Sequence, residues 1–259
     1  MAATATLWLK QMRKFLANPE EMFGLMIQPI LWVVLFGAGM RSMLSLNTAG
    51  SEASYVTFML PGIVVLSALG GAIGGGSVWL TERLRGIVKG YLVAPIPRLS
   101  ILMGHALSTL TKSMLQAIII LIVGVMLGAR LNATPLGWLG GLLLVAGFGL
   151  GFSGIALSMA SRTDNPGAYH AMIMVFNLPL LFLSNALYPL ATMPTWMRIG
   201  SVLNPVTHTT DGLRQMMFRN PSALAGGDPL PLWLCWLVVL GFASLGTWLA
   251  YDAFKKSIK

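Results

Sequence analysis

Apolar runs long enough to cross a bilayer recur six times along this chain, and that recurrence constrains its fold more than any other property. A hydrocarbon core about 30 Å thick takes roughly 20 apolar residues in helical conformation. The segments at about 22–41, 56–80, 105–128, 137–160, 168–190 and 230–251 each supply such a run. Of the 259 residues, 56% are hydrophobic and only 10% charged, whereas a soluble domain carries roughly 25% charged residues. That is too little charge to cover a water-facing surface, so a soluble enzyme is excluded. The expected fold is an all-α integral membrane domain of six transmembrane helices that takes up residues 1–259 as one unit.

An even number of spans puts both termini on one side of the membrane, and the basic residues say which. Lys10, Arg13, Lys14, Arg83, Arg85, Lys89, Arg98, Lys112, Arg162, Lys255, Lys256 and Lys259 fall on one side, and Arg41, Arg130, Arg198, Arg214 and Arg219 on the other. Lysine and arginine accumulate on cytoplasmic loops, so both termini are expected in the cytoplasm and the chain in a cell (inner or plasma) membrane. The net charge of +9 is spread in short clusters between apolar runs. That pattern suits lipid headgroups and not nucleic acid. Lys10, Arg13 and Lys14 precede an apolar run of about 18 residues, longer than the 7–15 of a cleaved signal core. The single cysteine, Cys235, allows no internal disulfide.

Three segments between the spans carry their own pattern. Within residues 1–21, Trp8, Met12, Phe15 and Leu16 share one helical face and the basic residues lie elsewhere, which predicts a helix lying in the membrane interface. Asn18-Pro19-Glu20-Glu21 is a start signal for the first span, with a cap residue, proline at the first position and acids in the first turn. Residues 81–100, TERLRGIVKGYLVAPIPRLS, are too polar to span and too apolar for a solvated loop, which predicts a short amphipathic helix closed by Pro95 and Pro97. In the external segment 190–229, Val206, Thr210, Leu213 and Met217 recur at spacings of three to four and predict a helix packed back into the membrane mouth.

Other motifs do not find the context they need. Gly149-x-Gly151-x-x-Gly154 has the string of a dinucleotide fingerprint without a strand before it. Inside a span, its glycines, like the pairs Gly70/Gly74, Gly71/Gly75 and Gly147/Gly151, are expected to let helices approach closely. The run Gly74-Gly75-Gly76 is expected to loosen its helix near the cytoplasmic end. Gly151-Phe152-Ser153-Gly154 resembles the nucleophile motif of rhomboid intramembrane proteases. Ser153 would need an adjacent base, and residues 230–251, where that family keeps its histidine, contain none. The three histidines have no metal-ligand spacing, so no metal site is expected. No Gly-x-x-x-x-Gly-Lys-[Ser/Thr] loop exists, so the chain does not hydrolyse ATP by itself. Lys112 is expected to snorkel to the cytoplasmic headgroups. The spans otherwise lack acids, which leaves an ion-driven secondary carrier without an obvious relay.

Two regions carry a resemblance to a known family. The first runs from Leu60-Pro61-Gly62 through Thr81-Glu82-Arg83-Leu84-Arg85-Gly86 to Leu92-Val93-Ala94-Pro95-Ile96-Pro97-Arg98. The second comprises Ser184-Asn185-Ala186-Leu187-Tyr188-Pro189-Leu190, Met193-Pro194-Thr195-Trp196, Leu203-Asn204-Pro205-Val206-Thr207-His208 and Asp211-Gly212-Leu213-Arg214. In order and spacing the chain resembles a membrane permease subunit of the type-2 ABC exporter family. One departure is Lys89-Gly90, where that family often has an acid after the cytoplasmic glycine.

The resemblance implies a pair of permeases, two copies of this chain or this chain with a related one, each with a separate ATP-binding cassette subunit that holds ATP and Mg. This chain itself would carry no cofactor. Glu82, Arg83, Arg85, Gly86, Lys89 and Pro95 would form the coupling segment that docks on the ATPase, with Glu82 and Arg85 free to pair at i,i+3. Phe58, Phe176, Asn177 and Asn185 would line the translocation path, and Tyr188, Pro189, Asn204, Pro205, Asp211 and Arg214 would build external re-entrant helices between helices five and six. The implied cargo is an amphipathic drug, a lipid or a lipid-linked glycan, moved outward.

Overall fold

The computed structural model describes residues 2–39, 55–93, 97–129, 131, 134–218 and 229–257. Pro95, Arg41, Arg130, Arg219, Lys259 and positions 219–228 of the external segment lie outside the described residues. Ten α-helices occur among the described residues: α1 (Ala2–Leu16), α2 (Pro19–Gly39), α3 (Tyr55–Leu84), α4 (Ile87–Val93), α5 (Arg98–Met126), α6 (Pro135–Arg162), α7 (Pro166–Phe182), α8 (Thr195–Leu203), α9 (Pro205–Met217) and α10 (Leu232–Ser257). Among the described residues, four stretches are long and apolar enough to cross a membrane: Val56–Leu84, Ser100–Met126, Pro135–Arg162 and Leu232–Lys255.

Several boundaries differ from the sequence expectation, each for a local reason. Helix α3 runs 30 residues, well past residue 80, so at 1.5 Å per residue it is about 45 Å long and projects beyond a 30 Å hydrocarbon core. The run Gly74-Gly75-Gly76 does not loosen it, because helical structure continues unbroken to Leu84. What ends it is Gly86, whose φ of 75° closes the turn at a position where only glycine carries no Cβ penalty. Helix α5 begins at Arg98 and not near 105, so the amphipathic helix of the cytoplasmic segment shrinks to the seven residues of α4. Helix α7 stops at Phe182 instead of reaching 190. Its last carbonyls, Leu180 O and Leu183 O, are taken by the side-chain amide of Asn204 at 2.9 and 2.5 Å, which satisfies a helix end that would otherwise be orphaned.

The core lies where α3 and α6 meet, with α10 packed along α6. Phe148 of α6 stacks on Phe242 of α10 at 5.7 Å between ring centroids. A Cβ on Gly154 would run into the backbone of Gly246, and one on Gly246 into the backbone of Gly151, so the two helices touch main chain to main chain. Gly71 and Gly75 likewise admit Ser113 and Thr109 of α5. Gly149, Gly70 and Gly74 make no comparably close approach. On its far side α10 exposes Trp233, Leu237, Leu240, Leu245 and Trp248, an apolar face suited to hydrocarbon.

Helix α1 lies against α5 at the basic end of the bundle. Gly104 makes room for Leu7 there, and the indole of Trp8 donates to Thr111 Oγ1 at 3.0 Å. The buried stripe departs from the expected one. Phe15 is buried and Trp8 partly so, but Leu16 faces outward and Gln11 is among the most buried residues of the helix. A polar partner for Gln11 explains the change.

Candidate functional site

That partner is Glu82, and the pair opens a network at the basic end of α3. Glu82 is 3% exposed. Its Oε1 accepts from Gln11 Nε2 at 2.9 Å, and its Oε2 stands 3.2 Å from His105 Nε2 of α5. The i,i+3 pair with Arg85 therefore does not form. Trp79 packs edge-on to His105 at 5.0 Å, lies 5.7 Å from Phe254 of α10 and donates its indole N–H to Ser161 Oγ. The Arg83 guanidinium reaches across to the end of α6, where it donates to the carbonyls of Ser161 and Thr163 and pairs with Asp164.

Glu82 and Arg83 thus root the turn after α3 in α1, α5 and α6. The residues beyond them face outward: Leu84, Arg85, Ile87, Lys89 and Val93 are exposed around Gly86. Helix α1 also holds α4 directly, because Lys10 Nζ donates to the Tyr91 hydroxyl and lies 4.8 Å over its ring. The arrangement is a firmly anchored tip with apolar and basic groups on its outer surface.

Lys112 is held by side chains of two neighbouring helices. It pairs with Glu21 of α2 at 2.6 Å and lies 4.6 Å over the ring of Phe15, so it ties α1, α2 and α5 together.

The four expected path residues go to three different places. Phe58 and Asn185 are buried in the cluster around α9, and Phe176 lies on the exposed side of α7. Asn177 lines a cavity of about 290 Å³ between α2, α3, α5 and α7, together with Gln28, Trp32, Ser67, Gln116 and Leu181. The α2 wall has a specific construction. Pro29 has no N–H to give the Leu25 carbonyl four residues earlier, and Gln116 Nε2 donates to that carbonyl instead, at 2.7 Å.

The residues expected in the re-entrant motif form a buried cluster around α9. The expected stripe is present: Val206, Thr210, Leu213 and Met217 are buried. So are Thr207, His208, Asp211 and Arg214 on the other faces, so a polar helix is enclosed all round. Asn204 caps it, accepting from Val206 N at 2.9 Å, with Pro205 in its first turn. Arg214 donates to Asn185 O at 2.7 Å and to Phe58 O at 3.2 Å, lies 4.3 Å over the Phe58 ring and stands 3.8 Å from Asp211 Oδ1. Asp211 in turn accepts from Asn185 Nδ2 and from Leu230 N. Tyr188 donates to Phe182 O, and Pro189 leads into the short 3₁₀ turn Leu190–Thr192.

Ser153 sits on the stretch of α6 that faces α10 and makes no hydrogen bond to a histidine among the described residues. His105 faces Glu82, His208 bonds Val202 O and His170 packs on Tyr169. The nucleophile–base pair that a serine protease needs is not assembled. Sequence reasoning missed Gln11, His105, Trp79, Ser161 and Gln116. Of these only Gln116 had a forerunner in the sequence, in the carbonyl that Pro29 must free.

Comparison with known proteins bears on all of these regions. The ABC-2 type transporter family model matches residues 2–218. The ycf38 protein of Cyanophora paradoxa, named as a transport permease, is 34% identical over 203 residues, which cover 76% of this chain and 68% of that one. The daunorubicin resistance ABC transporter permease DrrB1 of Streptomyces coeruleorubidus is 24% identical over 84% of this chain and 75% of its own. Nodulation protein J of Rhizobium leguminosarum bv. viciae is 25% identical over 78% and 77%.

Proposed function

The chain belongs to the ABC-2 type transporter family, and from that membership we propose that it is the permease of an ATP-driven exporter, paired with a second permease and powered by separate ATP-binding cassette subunits that hold ATP and Mg. In this reading α2, α3, α5, α6, α7 and α10 are six spans in a cell membrane, both termini are cytoplasmic, and α8 and α9 re-enter from outside. Cargo passes outward, and an amphipathic molecule suits a wall with so few charges.

The observation that carries the reading is the cytoplasmic turn. Leu84, Arg85, Ile87, Lys89 and Val93 face outward, while Glu82 and Arg83 beneath them are bonded into α1, α5 and α6. A tip anchored this way passes a push from a docked subunit into the bundle, where a solvated loop would absorb it. Replacing Arg85 with alanine is therefore expected to cut ATP-dependent transport by about tenfold, the order expected for loss of one charged docking contact, with membrane insertion unchanged. Unchanged transport in inverted vesicles would remove Arg85 from the docking surface.

The orientation has its own test. Cysteines replacing Gly90 and Thr195, in a background where buried Cys235 is serine, should react with an impermeant maleimide from opposite faces of the membrane. Labelling from the same face would overturn the topology.

A further inference from the structure

We infer that His105 is a positioning residue for the turn after α3: charged, its imidazole pins the Glu82 carboxylate between α1 and α5, and loss of that charge loosens the turn, so that the response of the chain to its ATPase depends on pH. The effect on transport rests on the export reading. The pinning rests on side-chain geometry alone.

Glu82 and His105 are both buried. Gln11 serves Oε1 of the carboxylate at 2.9 Å. No hydrogen-bond donor serves Oε2 among the described residues, and the group that stands against it is His105 Nε2, at an ion-pair distance of 3.2 Å. Two lone pairs facing each other there would repel, so Nε2 carries a proton. With the imidazole charged, the pair is neutral as a unit. With the imidazole neutral, the pair holds one uncompensated negative charge in an enclosed space, which is costly. Trp79 adds to the preference for the charged ring, because its indole lies 5.0 Å from the imidazole, within cation–π range, and Ser161 fixes that indole.

The other charges around the pair are engaged elsewhere. From α1, Lys10 is the second cation that acts on the Glu82 charge, but its ammonium is bonded to Tyr91. Arg83 of α3 pairs with Asp164 beyond the end of α6, and Arg162 of α6 stands 3.9 Å from Asp252 of α10. Phe254 is what α10 presents to Trp79. On α5, Lys112 lies seven residues past His105, about 10 Å along the axis, and is taken by Glu21. Imidazole is the side-chain type that changes charge between about pH 5 and 8. The pinning is therefore complete in mild acid and is lost as pH rises.

The test uses the full chain in nanodiscs, with a spin label on Ile87→Cys in the Cys235→Ser background. Ile87 is exposed just past Gly86, so its mobility reports the turn. Mobility should rise in a one-proton step between about pH 5.5 and 8.5. His105→Gln and Glu82→Gln should each abolish the step, one by removing the cation and the other by removing its partner. His170→Gln, on α7, is the control and should keep it. A flat trace in the parent, or a step that survives in either folded variant, would overturn the pinning; two variants guard against one that fails to fold.

Transport is scored separately, as molecules moved per ATP hydrolysed in proteoliposomes that contain the ATP-binding subunit. That ratio should fall about tenfold across the same step, the effect of losing one charge-assisted hydrogen bond, and should be independent of pH in His105→Gln. A mobility step with a flat ratio overturns the positioning role. A mobility step without ATP-driven transport at any pH keeps the pinning and removes the export reading.

Discussion

Replacing Arg214 with alanine is expected to destabilise the protein by about 3–5 kcal/mol, the range for removing one partner of a buried charged pair. The guanidinium is 1% exposed, so no water stands ready to take its place. Its loss strands Asp211 in the same enclosed space, removes the donor that Asn185 O receives at 2.7 Å, and uncovers the face of Phe58. Lysine should recover less than half of the loss, because one ammonium on a flexible stem cannot bridge two carbonyls and cover a ring as a planar fork does. Thermal unfolding in mild detergent reads both variants, with a lowered midpoint and loss of the monodisperse peak as the expected result. An alanine variant within about 1 kcal/mol of the parent would show that the cluster is supported by its neighbours and not by Arg214.

The second large effect is expected at the contact between α6 and α10. A valine at Gly154 would drive its Cβ into the main chain of Gly246. A flexible side chain could swing aside; a helix backbone moves only with the whole helix. Overpacking in a close-packed interior typically costs 1–3 kcal/mol, and a clash with main chain is placed at the upper end, about 3 kcal/mol or more. Gly154→Val should therefore insert poorly or unfold well below the parent temperature. Gly149→Val, on the same helix with nothing within 4 Å of the new Cβ, is the control and should behave like the parent. Equal behaviour of the two variants would mean that α10 docks elsewhere on α6.

Four long apolar helices were legible in the sequence because hydrophobicity over about 20 residues is a local property, and so was α9 as a helix, with Val206, Thr210, Leu213 and Met217 buried. The enclosure of α9 on its polar faces was not. It depends on Arg214 meeting Phe58, 156 residues away in sequence, and Asn185, 29 away. Glu82 gives the same lesson at the other end of the molecule. Its neighbour in the string, Arg85, offered the nearest opposite charge, yet Gln11 and His105 take the carboxylate, because α3 continues as helix and turns that face inward. The cavity was half legible. Pro29 announces an unbonded carbonyl at Leu25, but nothing local says that Gln116, 91 residues on, supplies the donor. Helix ends were misjudged where a distant side chain decided them, as Asn204 does for α7.

Helix α3 is one uninterrupted element held near one end by Arg214 at Phe58 and near the other at Glu82. The 24 residues between those points correspond to about 36 Å of axis. Geometrically it is a single rod held at two points. Tilting such a rod by about 10° about Phe58 carries Glu82 sideways by about 6 Å, and the residues midway, which border the cavity, by about half as much. Displacement under such a tilt is thus largest at the Glu82 end, graded along the helix, and vanishing at Phe58, so the two ends of one rigid helix respond unequally to the same push.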